Sequence, residues 1–201
     1  MNIAVIFAGG AGTRMRSKER PKQFLELYKK PIIIHTLEHF SGHPMIDAIV
    51  ISCIDGWIDH LNNLIKEYHI EKVKAVVPGG STGQQSIYNG LCAAKELVGD
   101  NYEDSIVLIH DGVRPMITEN LITENIKSVN NNGSAITTGL VTETILEVNS
   151  ENGVIDRVPE RKASRLAKAP QSFRLKDILE AHEKAIVEGR MDFIDSCTLM
   201  S

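Results

Sequence analysis

The sequence predicts an α/β fold, a Rossmann-like, mostly parallel sheet flanked by helices, with a protruding β-hairpin arm. Three observations carry this expectation. The chain opens on a nearly continuous apolar run, Asn2 to Ala8, that ends in glycines; an unbroken apolar strand is one covered on both faces, as parallel strands are. Segments of strand length then alternate with longer segments of helical period, joined by short glycine-bearing turns, which is the signature of a parallel sheet with crossover helices. After residue 141 that alternation gives way to two short strand-like stretches around a turn-rich segment.

Taken in order, Pro31 opens a helix reaching about Phe40, since proline suits the first helical turn. Residues 46–54 read as a second strand, 57–68 as an amphipathic helix and 73–77 as a third strand ending at Pro78-Gly79-Gly80. Residues 84–97 read as a helix, and 105–110 as a fourth strand ending in His110-Asp111-Gly112. A helix near 119–130 and a strand near 134–141 continue the alternation. Residues 144–148 and 154–158 flank Asn149-Ser150-Glu151-Asn152-Gly153, which predicts a hairpin arm over about 142–160. A lone two-stranded hairpin is marginal in water, so the arm is expected to pack on something, a second subunit being one candidate. A last helix covers about 175–188. No repeat or linker divides the chain, so residues 1–201 read as one domain.

A net charge of −4 argues against a nucleic-acid footprint. Cys53, Cys92 and Cys197 are scattered, with no paired metal or disulfide spacing. No apolar run is long enough to span a membrane, and the opening apolar stretch lacks the basic start of a signal peptide. A cytoplasmic location is the expectation. His35, His39 and His43 share helical spacing, but they lack the zinc-protease pattern and a third ligand.

In an open parallel sheet, ligands bind beyond the carboxyl ends of the strands, and three turns carry chemistry there. The first is Gly9-Gly10-Ala11-Gly12-Thr13-Arg14. Glycines let backbone N–H groups approach phosphates closely. The loop is not a P-loop, which requires Gly-Lys-Ser/Thr after four intervening residues, and it is a poor dinucleotide fingerprint, because Met15 stands where a third glycine belongs. Arg14, Arg16, Lys18, Arg20 and Lys22 crowd beside it in an otherwise acidic chain. Phosphoryl and nucleotidyl transfer need such cationic clamps. The second turn is Gly79-Gly80-Ser81. The third is Asp111-Gly112-Val113-Arg114, where a carboxylate could hold Mg²⁺ beside a triphosphate, or could serve only as the ion-pair partner of Arg114.

These stretches, with Pro21-Lys22-Gln23-Phe24, Ser86 and Ala169-Pro170-Gln171-Ser172-Phe173, resemble in order and over nearly the whole chain the methylerythritol-phosphate and ribitol-5-phosphate cytidylyltransferases. The resemblance implies CTP and a polyol phosphate as substrates, Mg²⁺ as the metal and a homodimer that exchanges the arm. It further implies that Ala8, Gly9, Gly10, Gly12, Thr13, Gly80, Ser81 and Ser86 bind the nucleotide, with Ser86 near the ribose. Arg14 and Lys22 would be catalytic, clamping the triphosphate, and Asp111 would bind the nucleotide through the metal. Arg114, together with Thr144 and Arg161 of the arm, would meet the acceptor.

The chain departs from the family at three places: Gly83 stands where an arginine is common, Ile194-Asp195 where Thr-Asp is, and the sequence ends at Ser201 without the family's C-terminal strand and its acceptor-binding lysine. Gly9-Gly10 and Gly112-Val113 lean towards the ribitol branch, whose products serve cell-surface polymers. The alternatives are methylerythritol phosphate as acceptor, as in isoprenoid precursor synthesis, or a silent CTP-binding or dimerisation module. A nicotinamide-dependent oxidoreductase is disfavoured by the missing third glycine.

Overall fold

The computed structural model describes residues 1–9 and 20–201. β1 (Asn2–Ala8) leads, beyond the undescribed stretch, to a one-turn 3-10 helix (Lys22–Phe24) and a small hairpin of β2 (Glu26–Leu27) and β3 (Lys30–Pro31). α1 (Ile32–Gly42), β4 (Ala48–Cys53), α2 (Ile58–Glu67), β5 (Val73–Pro78), α3 (Gly83–Val98) and β6 (Ile106–Asp111) complete the alternating part. α4 (Glu119–Asn132), β7 (Ser134–Leu140), β8 (Glu147–Val148), β9 (Ile155–Arg157), β10 (Arg165–Arg174), α5 (Leu175–Val187) and α6 (Ser196–Met200) follow.

The main sheet runs β5-β4-β1-β6-β10-β7. β1 pairs in parallel with both β4 and β6, and β5 with β4. β10 is antiparallel to both of its neighbours, so the sheet is mixed with one reversed strand. Strand side chains alternate between faces, and both faces of β1 are apolar. Ala4 and Ile6 join the cluster under α1, α2 and α4, while Ile3 and Val5 join the one under α3 and α5. This is why the sequence run shows no polar alternation. Each fully buried aliphatic side chain contributes about 1.5–3 kcal/mol, and β1, β4 and β6 share them with the helices packed on both faces.

The helices start where local chemistry predicts. Pro31 stands immediately before α1 without a capping side-chain hydrogen bond, and Thr118 caps α4 by accepting the Leu121 N–H at 3.3 Å. The arm forms, but its ladder is shorter than the sequence suggests, with only Glu147↔Arg157 and Val148↔Ile155 paired.

One long strand was not expected. β10 reads from sequence as a polar stretch interrupted by Pro170. Its first half is exposed and its second half buried, so no single period runs through it. Pairing with β7 shifts register between Ala167 and Gln171, around a proline that has no N–H to give to the ladder. Buried Gln171, Ser172 and Phe173 then close the sheet against β6.

Candidate functional site

The carboxyl ends of β1, β4 and β5 meet the start of α3 around a cavity of about 580 Å³. Gly9, Gly80, Ser81 and Ser86 line it, as do Ile54 and Asp55. The backbone there is packed too tightly for side chains. A Cβ on Gly9 would stand 2.6 Å from Ser86 Oγ, and one on Gly79 3.2 Å from the Gly9 Cα.

Ser86 organises this wall. Its hydroxyl donates to the Thr82 carbonyl at 2.9 Å and accepts the Gly80 N–H at 3.0 Å. Thr82 caps α3 by accepting the Gln85 N–H at 3.1 Å. α3 therefore begins in the cavity wall, with the unsatisfied N–H groups and positive dipole end that favour anions. The Thr82-x-x-Gln85 spacing is a capping signature that could have placed this helix start from sequence. Asp55-Gly56 after β4 is a turn signal that could have added the opposite wall.

Gly10, Gly12, Thr13 and Arg14 lie outside the described residues. Ala8 is buried and does not line the cavity; its carbonyl accepts the Gln23 side-chain amide at 2.6 Å and the Ile54 N–H at 3.2 Å. Lys22 is half-buried in the 3-10 helix between Pro21 and Gln23.

On the other side of β1, the end of β6 presents Asp111. Its carboxylate accepts a hydrogen bond from Arg114 Nε, the ion pair that one of the two sequence expectations names. Arg114 also lines a second cavity of about 410 Å³, with His110, Thr137 and Lys168. His110 is buried, its Nε2–H donating to the Arg114 carbonyl at 3.0 Å while Nδ1 has no partner among the described residues. Burial holds its pKa below the usual histidine value.

Thr144 and Arg161 are exposed on the arm segment, away from both cavities, and Arg161 donates to the Thr142 carbonyl at 3.3 Å. Arg161 borders a third hollow with Lys162 and Arg165. The structure thus gathers Gly9, Gly80, Ser81 and Ser86 in one place and Asp111 and Arg114 in a second, with Arg161 beside Thr142 in a third.

Among the described residues no group of three metal-ligating side chains occurs. His35 and His43 are engaged with the backbone, Nε2 of each lying 2.9 Å from the Leu27 carbonyl and 3.2 Å from the Glu119 carbonyl respectively. Burial pushes the Cys53 thiol up to about 11, so it is protonated and no nucleophile. Among the described residues no helix is long and apolar enough to cross a membrane. Among the described residues the arrangement is a glycine-walled cavity at a helix N-terminus, a setting that favours anions.

Comparison with known proteins agrees. Residues 2–200 match the family model described as IspD: 2-C-methyl-D-erythritol 4-phosphate cytidylyltransferase. A ribitol-5-phosphate cytidylyltransferase of Vibrio parahaemolyticus is 54% identical over 201 residues, covering 100% of this chain and 83% of the relative. One from Streptococcus agalactiae serotype III is 53% identical over 200 residues, covering 100% and 82%. A 2-C-methyl-D-erythritol 4-phosphate cytidylyltransferase of Clostridium botulinum is 37% identical over 183 residues, covering 91% and 76%. The crystal structure of the Anaerococcus prevotii 4-diphosphocytidyl-2C-methyl-D-erythritol synthase superposes with a TM-score of 0.82 at 26% identity, covering 98% of this chain and 80% of the other. A match along nearly the whole sequence, with a shared fold, places the chain in the IspD family of cytidylyltransferases, which are CTP-dependent nucleotidyltransferases.

Proposed function

We propose that this protein transfers CMP from CTP to D-ribitol 5-phosphate, giving CDP-ribitol and pyrophosphate. The observation that carries the choice of acceptor is the 54% identity along the whole chain to a relative named for that reaction, against 37% to one named for methylerythritol phosphate.

The cytidine half of CTP would occupy the cavity between Gly9 and the Gly80-Ser81-Ser86 wall, with its phosphates leading towards Lys22 and the glycine-rich loop of Gly10, Gly12, Thr13 and Arg14. The acceptor would lie on the Asp111 and Arg114 side. A phosphate oxygen of the acceptor attacks the α-phosphorus; a new P–O bond forms, the bond to the bridging oxygen breaks, and pyrophosphate leaves. The nucleophile is already an anion, so no general base is needed. Catalysis is then positioning and neutralisation of charge by Lys22 and Arg14.

A lone carboxylate is a poor cage for a metal by itself, yet it suits Mg²⁺, which is commonly held by one or two carboxylates and substrate phosphates. Asp111 is the residue that would hold it, exchanging its hydrogen bond with Arg114 for the metal. When bound, Mg²⁺ supplies positive charge to the triphosphate. Thr144 and Arg161, exposed on the arm, would reach the acceptor of a second copy in a homodimer. A cytoplasmic location and a role in cell-surface polymer synthesis accord with CTP and a soluble polyol phosphate as substrates.

The test is pyrophosphate release with CTP and Mg²⁺ in three parallel reactions, containing ribitol 5-phosphate, methylerythritol 4-phosphate or no acceptor. Release with ribitol 5-phosphate alone is expected. Release only with methylerythritol 4-phosphate reassigns the acceptor, and release with neither leaves a nucleotide-binding module.

A further inference from the structure

We propose that Gln23 is the positioning residue for Lys22, locking that lysine to the nucleotide cavity through the carbonyl of Ala8. This rests on the role given to Lys22 above.

Lys22 occupies a 3-10 helix of three residues, too short to hold a lysine by its own hydrogen bonds. What fixes the helix is its other two side chains, both about 1% exposed. Gln23 Nε2 donates to the Ala8 carbonyl at 2.6 Å in a buried setting. The same carbonyl accepts the Ile54 N–H at 3.2 Å. Ala8 precedes Gly9, and both Gly9 and Ile54 line the cavity. One oxygen therefore joins the helix bearing Lys22 to the floor and one wall of the nucleotide site. On the opposite side Phe24 stacks on Trp57, ring centroids 4.9 Å apart, and Trp57 follows the Ile54 turn through its N–H bond to the Ile54 carbonyl at 3.3 Å.

The two anchors differ in what they specify. The stack is apolar and tolerates sliding of one ring over the other. The buried amide hydrogen bond is directional, and losing its donor would leave the Ala8 carbonyl with one partner fewer. Gln23 is thus the side chain that sets where the Lys22 backbone sits relative to Gly9. A displacement on the scale of an ångström is enough to weaken a catalytic clamp strongly.

A double-mutant cycle in pyrophosphate release tests this, using wild type, Gln23→Met, Lys22→Ala and the double variant. Gln23→Met is expected to lower kcat about tenfold, with KM for CTP changed less than kcat, and to have almost no further effect once Lys22 is alanine. Two independent losses that multiply in the double variant overturn the proposal while leaving the role of Lys22 intact. Normal turnover by Lys22→Ala overturns both. Trp57 is the only tryptophan, so its emission reports whether the helix still packs in each variant. Gln23→His carries a ring N–H the same number of bonds from Cα as the amide, and is expected to regain most of the turnover. A histidine variant with native emission that is as slow as the methionine variant refutes positioning by the hydrogen bond.

Discussion

Gly9 and Ser86 touch so closely that a single added carbon would place the two residues 2.6 Å apart, at the Ser86 hydroxyl. Ser86 cannot retreat easily, because its hydroxyl also holds the Gly80 N–H and the Thr82 carbonyl. Gly9→Ala should therefore push apart β1 and the start of α3, at about 1–3 kcal/mol for overpacking. CTP affinity is expected to fall by at least about tenfold, read by calorimetric titration, while the melting temperature drops only modestly. In the double variant Gly9→Ala/Ser86→Ala the clash is relieved, so its loss should be smaller than the sum of the two single losses. Additive losses would mean that the contact does not shape the cavity.

Asp111 and Arg114 form an ion pair in which the arginine is more than half exposed, at 55%. Exposed pairs of this kind contribute roughly 0–1 kcal/mol, so the pair is a poor explanation for the carboxylate's presence. Asp111→Asn is accordingly expected to leave thermal stability nearly unchanged and to lower turnover by about a hundredfold or more, with a higher Mg²⁺ concentration needed for half-maximal rate. A variant with wild-type turnover and lowered stability would return Asp111 to a structural role.

His182 gives a pH dependence of stability that is independent of the site. It is 1% exposed, stacks on Tyr88 at 5.6 Å and has no hydrogen-bond partner among the described residues at either ring nitrogen. Burial pushes its pKa down to about 4 from an ordinary 6.5. Between those values the unfolded chain binds the proton and the folded one does not, so stability is full above the unfolded value and is lost as pH falls from about 6.5 towards 4. The whole effect is on the order of 3 kcal/mol. His182→Leu should flatten the urea midpoint over that window relative to wild type; an unchanged slope from pH 7 to 4.5 would show that the ring takes up its proton without penalty.

How far the sequence could be read depended on how local the cause was. β1, β4, β6 and the helices between them announce themselves through apolar runs, Pro31 and the capping threonines, all of which act within a few residues. Gly9, Gly80 and Ser86 were legible because backbone crowding demands glycine and a small hydroxyl residue wherever the chain meets. β10 was not, since its exposed first half and Pro170 conceal a strand that only pairing with β6 and β7 stabilises. The Ala8 carbonyl is bonded by Gln23 and Ile54; that contact spans fifteen residues in one direction and far more in the other, beyond any local pattern. The second cavity is the least legible for the same reason, as Arg114, Thr137 and Lys168 come from just beyond the end of β6, from β7 and from β10.

The arm should act across a dimer interface, and complementation can show it. Val148, Val154, Ile155 and Val158 are each more than half exposed, at 51%, 59%, 53% and 55%, in a hairpin too short to be stable unless covered. If a second copy covers it, Val148→Asp/Ile155→Asp should convert the dimer into monomer in sedimentation velocity. Arg161 would then serve the neighbouring subunit's acceptor. Arg161→Ala and Asp111→Asn would each be nearly inactive alone, the first through a raised acceptor KM. Unfolded together and refolded as a mixture, half of the dimers would pair an intact Asp111 with an intact Arg161 at one of two sites, restoring about a quarter of wild-type activity by symmetry. Thr144→Ala/Arg161→Ala should raise the acceptor KM far more than that of CTP, since neither residue borders the nucleotide cavity. No recovery on mixing, with dimers confirmed, would mean that each arm serves its own subunit.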